Sequence, residues 1–145
     1  MDIIRPVNVT DSVLISSSVS EDDYSEWNSS TTYNTGDKVI VISNHQAYES
    51  LVDSNTGNDP TTDDGTKWLN IGATNRWKAF DQKISDPVTD TGSIAYELSS
   101  ADTYVTSVAL FGLKAVEATV TVTDTDDDGE VYNKTTSLID NLDVI

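Results

Sequence analysis

The sequence predicts an all-β protein, and three observations carry the prediction. A quarter of the residues are Ser or Thr, Val and Ile are common, and Ala, Leu, Lys and Glu are comparatively scarce. That composition suits half-buried strands and polar loops rather than helices. Short apolar runs alternate with polar residues at a period of two, most cleanly where Ala118, Val120 and Val122 alternate with Thr119, Thr121 and Thr123. Between the runs stand clusters of Gly, Asn, Asp and Pro, the residues that turn a chain.

The elements follow in chain order. Residues 3–9 form an extended apolar stretch, and Pro6 within it argues against a central strand. With the polar segment that follows, this predicts an N-terminal arm over residues 1–20. Ser20, Glu21, Asp22 and Asp23 read as a loop or a single acidic helical turn before Trp27. Residues 38–43 and 46–51 predict a β-hairpin turning at Asn44-His45. A long polar loop, DSNTGNDPTTDDGT, leads to a third strand at 68–71. Residues 21–72 therefore read as one small unit, joined at Gly72-Ala73-Thr74 to a second over 73–145. In that second unit residues 76–80, 93–98 and 104–111 read as strands, and 118–123 with 131–138 as a hairpin about an acidic turn.

Charge and composition exclude several function classes. With 145 residues the chain is one domain or two small ones. Its 25 acidic and 8 basic side chains give a net charge of −17, which leaves little with which to neutralise nucleic-acid phosphates or an anionic membrane surface. There is no cysteine, so disulfides, thiol nucleophiles and thiolate metal sites are excluded. Catalysis by a Ser–His–Asp triad would rest on the single histidine, His45, with no nucleophile-elbow glycines. No phosphate-cradling glycine loop occurs, and no carboxylate sits in an apolar strand that would tune it as an acid. The expectation is a protein that is not an enzyme.

The first unit carries a recognisable pattern: W-x5-Y-x2-G-D-x-V, a short turn, A-Y, a polar loop with T-G and P, then W-L-x-I. Its residues are Trp27, Tyr33, Gly36, Asp37, Val39, Tyr48, Thr56, Gly57, Pro60, Trp68 and Ile71. Over residues 27–71 this resembles the small chitin-binding module attached to bacterial chitinases and related hydrolases. The resemblance implies a three-stranded twisted sheet held around Trp27, Tyr33, Tyr48 and Trp68. A unit this small buries little surface, so large rings must supply most of its core. The family presents an exposed tryptophan just before the loop proline to stack on a sugar. Here that place is Asn58, so the stacking platform is missing and Asn58 and Asp59 are left as hydrogen-bonding ligand candidates, with Trp77 a third.

The stretch 73–81, ATNRWKAFD, is similar to a junction common in tailed-bacteriophage virion proteins, where such a module precedes a β-sandwich like the galactose-binding jelly rolls. With the apolar run at 108–111 and the hairpin after it, the resemblance extends over essentially the whole chain. It implies a structural component of the tail, neck or baseplate, located in the virion and in host cytoplasm during assembly. Other virion proteins and further copies of the chain are its implied partners. The alternative is a carbohydrate-binding adhesion module for a host or environmental glycan. Only four or five strands follow Gly72 where a jelly roll needs about eight. The expectation is therefore part of a sandwich, with the rest supplied by further chain or neighbouring subunits.

Two acidic clusters remain. Asp124, Asp126, Asp128 and Gly129 have the D-x-D-x-D-G spacing of calcium loops, but Thr135 stands where an EF-hand needs glutamate and the flanks are strands. A solvated hairpin turn and a Ca²⁺ site, the one cofactor under consideration, both fit. Asp59, Asp63 and Asp64 read as a polar turn or, with Asn58, a second oxygen cluster. Arg76 and Lys78, flanking Trp77, read as ion-pair formers at the joint or a ligand clamp, and His45 as an exposed turn residue.

Overall fold

The computed structural model describes residues 7–83, 85–100, 105, 107–124 and 129–138. The fold is all-β: the described residues hold nine strands in four small antiparallel sheets and, as their one helical element, a 3-10 turn at Trp77–Ala79. Two compact units divide the chain, Met1–Val108 and Ala109–Ile145.

The centre of the first unit is a three-stranded sheet of β3 (Lys38–Val41), β4 (Gln46–Ser50) and β6 (Trp68–Ala73), in that order. In the β3–β4 register Val39 lies opposite Tyr48 and Ile40 opposite Ala47, all four of them buried. Backbone bonds from Ile40 N to Ser25 O and from Trp27 N to Ile40 O lay the 25–27 segment along the free edge of β3. A bulge between Ala47 and Tyr48 accompanies Gly72, whose φ of +119° no side-chain-bearing residue takes easily. The short strands β2 (Thr32–Tyr33) and β5 (Asn55–Thr56) pair beside this sheet.

Three of the four rings expected in the core are buried together, and the fourth, Trp27, is part-buried beside them. Tyr33, Val39, Tyr48 and Trp68 form one buried cluster, with Trp27 and Val41 packed against it. Tyr33 meets Trp68 edge to face at 5.3 Å between ring centroids. Every polar handle in the cluster has a partner. Trp68 Nε1 donates to Asn58 O, Tyr33 Oη accepts from Asn28 N, and Tyr48 Oη accepts from Asn44 Nδ2. These bonds spare the cluster the penalty of a buried polar group with no partner.

Beyond this core the structure departs from the sequence expectation. The arm does not stay apart. Its β1 (Leu14–Ser17) pairs with β7 (Tyr96–Leu98), roughly eighty positions later. The expected joint at 72–74 is fully buried inside the first unit, and the division falls after Val108 instead. Residues 20–26 make no helical turn, because Glu21 and Asp23 receive donors from 45 and 74–77 rather than capping a turn of their own. Residues 77–79 form the 3-10 turn rather than a strand, with Trp77 N and Lys78 N both donating to Thr74 O. The hairpin loop spans four residues, 42–45, with His45 at φ +55°.

In the second unit β8 (Glu117–Asp124) and β9 (Gly129–Ser137) form the expected hairpin, with Ala118, Val120 and Val122 on its half-buried face. Residues 105 and 107–111, expected as the most apolar strand, hold no strand and lie exposed; Phe111 is 76% exposed. No described strand pairs with them, so their backbone has no ladder to join. The expectations resting on 1–6, 104, 125–128 and 144–145 lie outside the described residues.

Candidate functional site

The loop between β5 and β6 is built by its own side chains. Asp63 Oδ2 accepts from the backbone N–H groups of Gly65, Lys67 and Trp68, at 2.8, 3.1 and 3.1 Å. Desolvation pushes this carboxyl up, but the N–H donors of Trp68, Lys67, Gly65 and Thr66 together outweigh it and hold its pKa below the ordinary value. Asp59 Oδ1 closes a smaller turn onto Thr61 N and Oγ1. Asp64 Oδ1 accepts from Thr66 N. These carboxylates make a polar turn, the first of the two readings left open by the sequence.

Asn58, the residue in place of the stacking ring, is committed inward. Its Nδ2 donates to Asn55 Oδ1 at 2.7 Å, and its carbonyl receives Trp68 Nε1 at 2.9 Å. Asn55 is itself buried and donates to Ser50 Oγ, which donates on to Val52 O. The chain Asn58–Asn55–Ser50 is a satisfied polar network under the loop, and it ties the loop to the aromatic core. The sequence singled out neither Asn55 nor Ser50, because an Asn or Ser within a polar run carries no periodic signal.

A second cluster gathers around Glu21, whose side chain is 5% exposed. Oε1 accepts from Thr74 Oγ1 at 2.8 Å and faces His45 Nδ1 at 2.9 Å. Oε2 accepts from Trp77 Nε1 at 3.3 Å and lies 3.8 Å from Arg76 Nη1. Arg76 Nε donates to Val19 O. The His45 ring stacks on Trp77 at 3.9 Å with 21° between planes, and its Nε2 faces Asp11 Oδ1 at 2.8 Å. His45 is thus a half-buried bridge between the hairpin, the arm and the 3-10 turn, not an exposed turn residue. Arg76 and Lys78 are ion-paired, with Glu21 and Asp86.

Trp77, a ligand candidate by sequence, is buried with one face covered by His45. It helps to wall a shallow cavity of about 310 Å³, together with Asp11, His45, Ala73, Phe80 and Asp81. Ring contacts continue from Trp77 to Phe80 at 6.1 Å and from Phe80 to Tyr96 at 5.1 Å. Burial pushes the Tyr96 hydroxyl up to about 12, against smaller opposing effects of Ser17 and Arg76, while it donates to Arg76 O at 2.9 Å. The structure therefore separates the sequence candidates. Asn58 and Asp59 lie in the loop, Trp77 in the Glu21 cluster, and Asp124 at the end of β8. Asp126 and Asp128 lie outside the described residues. Among the described residues no three His, Cys, Asp or Glu side chains converge as a metal-binding group.

No protein-family model, no curated protein and no solved structure matches the chain.

Proposed function

We propose that the chain is a non-enzymatic structural subunit of a tailed-bacteriophage particle, in the tail, neck or baseplate. The observation that carries the reading is unburied apolar surface. Val105, Val108, Leu110, Phe111, Leu113, Val116, Val131 and Tyr132 each stand about half or more exposed. A free-standing chain gains nothing from such surface, whereas a subunit buries it against its neighbours. The resemblance of residues 27–71 to a small chitin-binding module, and of 73–81 to the junction that follows such a module in tailed-phage virion proteins, supports that kind of assembly. The inward commitment of Asn58 favours this reading over glycan adhesion, since the loop side chain nearest the family's sugar platform is already bonded to Asn55. Mass spectrometry of tailed-phage particles purified from cultures whose DNA carries the gene for this chain tests it. The expected result is the chain at stoichiometric copy number; its absence from intact particles overturns the proposal.

A further inference from the structure

The one histidine of the chain is held between two carboxylates. His45 Nδ1 lies 2.9 Å from Glu21 Oε1, and His45 Nε2 lies 2.8 Å from Asp11 Oδ1. An ionised carboxylate only accepts, so both contacts require a ring N–H. A neutral imidazole carries one N–H and can serve one carboxylate, whereas the imidazolium serves both. The two carboxylates differ in what they lose when the second proton leaves. The Glu21 side chain is 5% exposed, so water is a poor replacement for its donor, whereas the Asp11 side chain is 77% exposed and water replaces the ring readily. The other charged groups on the elements packed here are Arg76, 3.8 Å from Oε2 of the same Glu21, Asp23, bonded to Asn75 N, Asp81 in the wall of the cavity that His45 lines, and Lys83, whose ammonium lies near Gly72.

We propose that His45 is a pH-sensitive latch for the N-terminal arm: the imidazolium ties Asp11 to the hairpin loop, and loss of its proton frees Asp11 while Nδ1–H stays on Glu21. The arm is built to feel that loss. Asp11 opens the turn in which Val13 N and Leu14 N both donate to Thr10 O, and that turn leads directly into β1. Stacking on Trp77 at 3.9 Å holds the ring plane, so the ring stays in place when Asp11 leaves. The direction follows from the donors. The arm is latched where the ring is protonated and both carboxylates are ionised, and it is released as pH rises through the titration of the ring. The inference rests on the first unit alone and holds whether or not the assembly is a phage particle.

The test is two-dimensional NMR of the full chain from about pH 5 to about pH 8, where imidazoles titrate. The Cε1–H signal of the single histidine reports the ring proton, and the amides of Asp11, Ser12, Val13 and Leu14 report the arm. The expected result is that these amides shift with the midpoint of the ring. Exchange at Val13 and Leu14, corrected for its intrinsic pH dependence, should quicken about tenfold on the alkaline side, the scale of one hydrogen bond to a charged group. Asp11→Ala, at a largely exposed side chain, should leave the module folded, with fast exchange in the arm at both ends of the range. Asp11→Asn should keep the arm latched at both ends, because an amide accepts from the imidazolium and donates to the neutral ring. Three results overturn the latch: a ring that titrates without moving the arm amides, arm amides that follow the ring equally in Asp11→Ala, or a ring that keeps one protonation state across the range.

Discussion

At the residue scale, single side chains hold the small module together, and their loss is measurable. Trp68 is 2% exposed, meets Tyr33 edge to face, and donates to Asn58 O. Trp68→Ala should cost about 3–5 kcal/mol, the range for truncating a buried aromatic, read as a shift in the urea midpoint. Asp63 acts through charge. Its folded pKa lies below the ordinary value because backbone N–H donors outweigh desolvation. Its contribution is therefore complete above the unfolded value of roughly 3.9 and is lost as pH falls through the folded one. Urea unfolding of the parent should show a larger loss of stability from pH 7 to pH 3 than that of Asp63→Asn; equal losses would refute the role. Asp53 adds to the same acid slope, held down by the backbone and side chain of Thr35. The core rings Tyr33, Tyr48 and Trp68 were legible in the sequence because a unit this small must draw most of its core from its few large aromatic side chains. Glu21 was not, because nothing in SEDDYSEW distinguishes the one acid whose side chain is buried from those around it.

At the element scale, the joint between the arm, the hairpin loop and the 3-10 turn depends on Glu21. Removing its carboxylate strands Thr74 Oγ1, Trp77 Nε1 and His45 Nδ1 at once. Glu21→Ala should therefore destabilise by about 1–3 kcal/mol, the cost of leaving buried donors without their acceptor. Hydrogen exchange should quicken at Trp77 and Lys78 in that variant, since both donate to Thr74 O. The β1–β7 pair has its own signature at Tyr96. Its hydroxyl, raised to about 12 by burial, stays protonated where an unfolded tyrosine has ionised. Stability from this group is complete below about pH 10 and falls as pH rises toward 12. Tyr96→Phe should flatten that alkaline slope, and ultraviolet titration of the parent should show one tyrosine ionising late. Strands β3, β4 and β6 could be read from period-two alternation and turn residues. The pairing of β1 with β7 could not, because contact between two strands of four and three residues so far apart in sequence leaves no periodic trace. Residues 76–80 misled for a related reason. Trp77 and Phe80 are apolar in sequence like strand residues, but Thr74 O draws two successive N–H groups into a 3-10 turn.

At the scale of the whole molecule, the two units differ in how far each can stand alone. The first encloses a ring cluster and two satisfied polar networks, whose members reach from residue 11 to residue 96. The second offers the pair β8 and β9, with Val131 at the bulge side of the register and Tyr132 opposite Val122. A two-stranded hairpin is marginal in water without a third strand or a packed face. Its face of Ala118, Val120, Val122 and Tyr132 is only half covered. Burying a few hundred Å² of such surface at roughly 25 cal/mol per Å² contributes several kcal/mol, comparable with the stability of a small domain. The full chain alone should therefore show slow exchange at β3, β4 and β6, fast exchange at β8 and β9, and protection of the hairpin only on association. Sedimentation across a concentration series, paired with hydrogen exchange at each concentration, checks this. Protection at Val120 and Val122 that rises with sedimentation coefficient supports a subunit completed by its neighbours. A monomer at every concentration with a fully protected hairpin would show that the second unit needs no cover, and would remove the observation on which the structural-subunit reading rests.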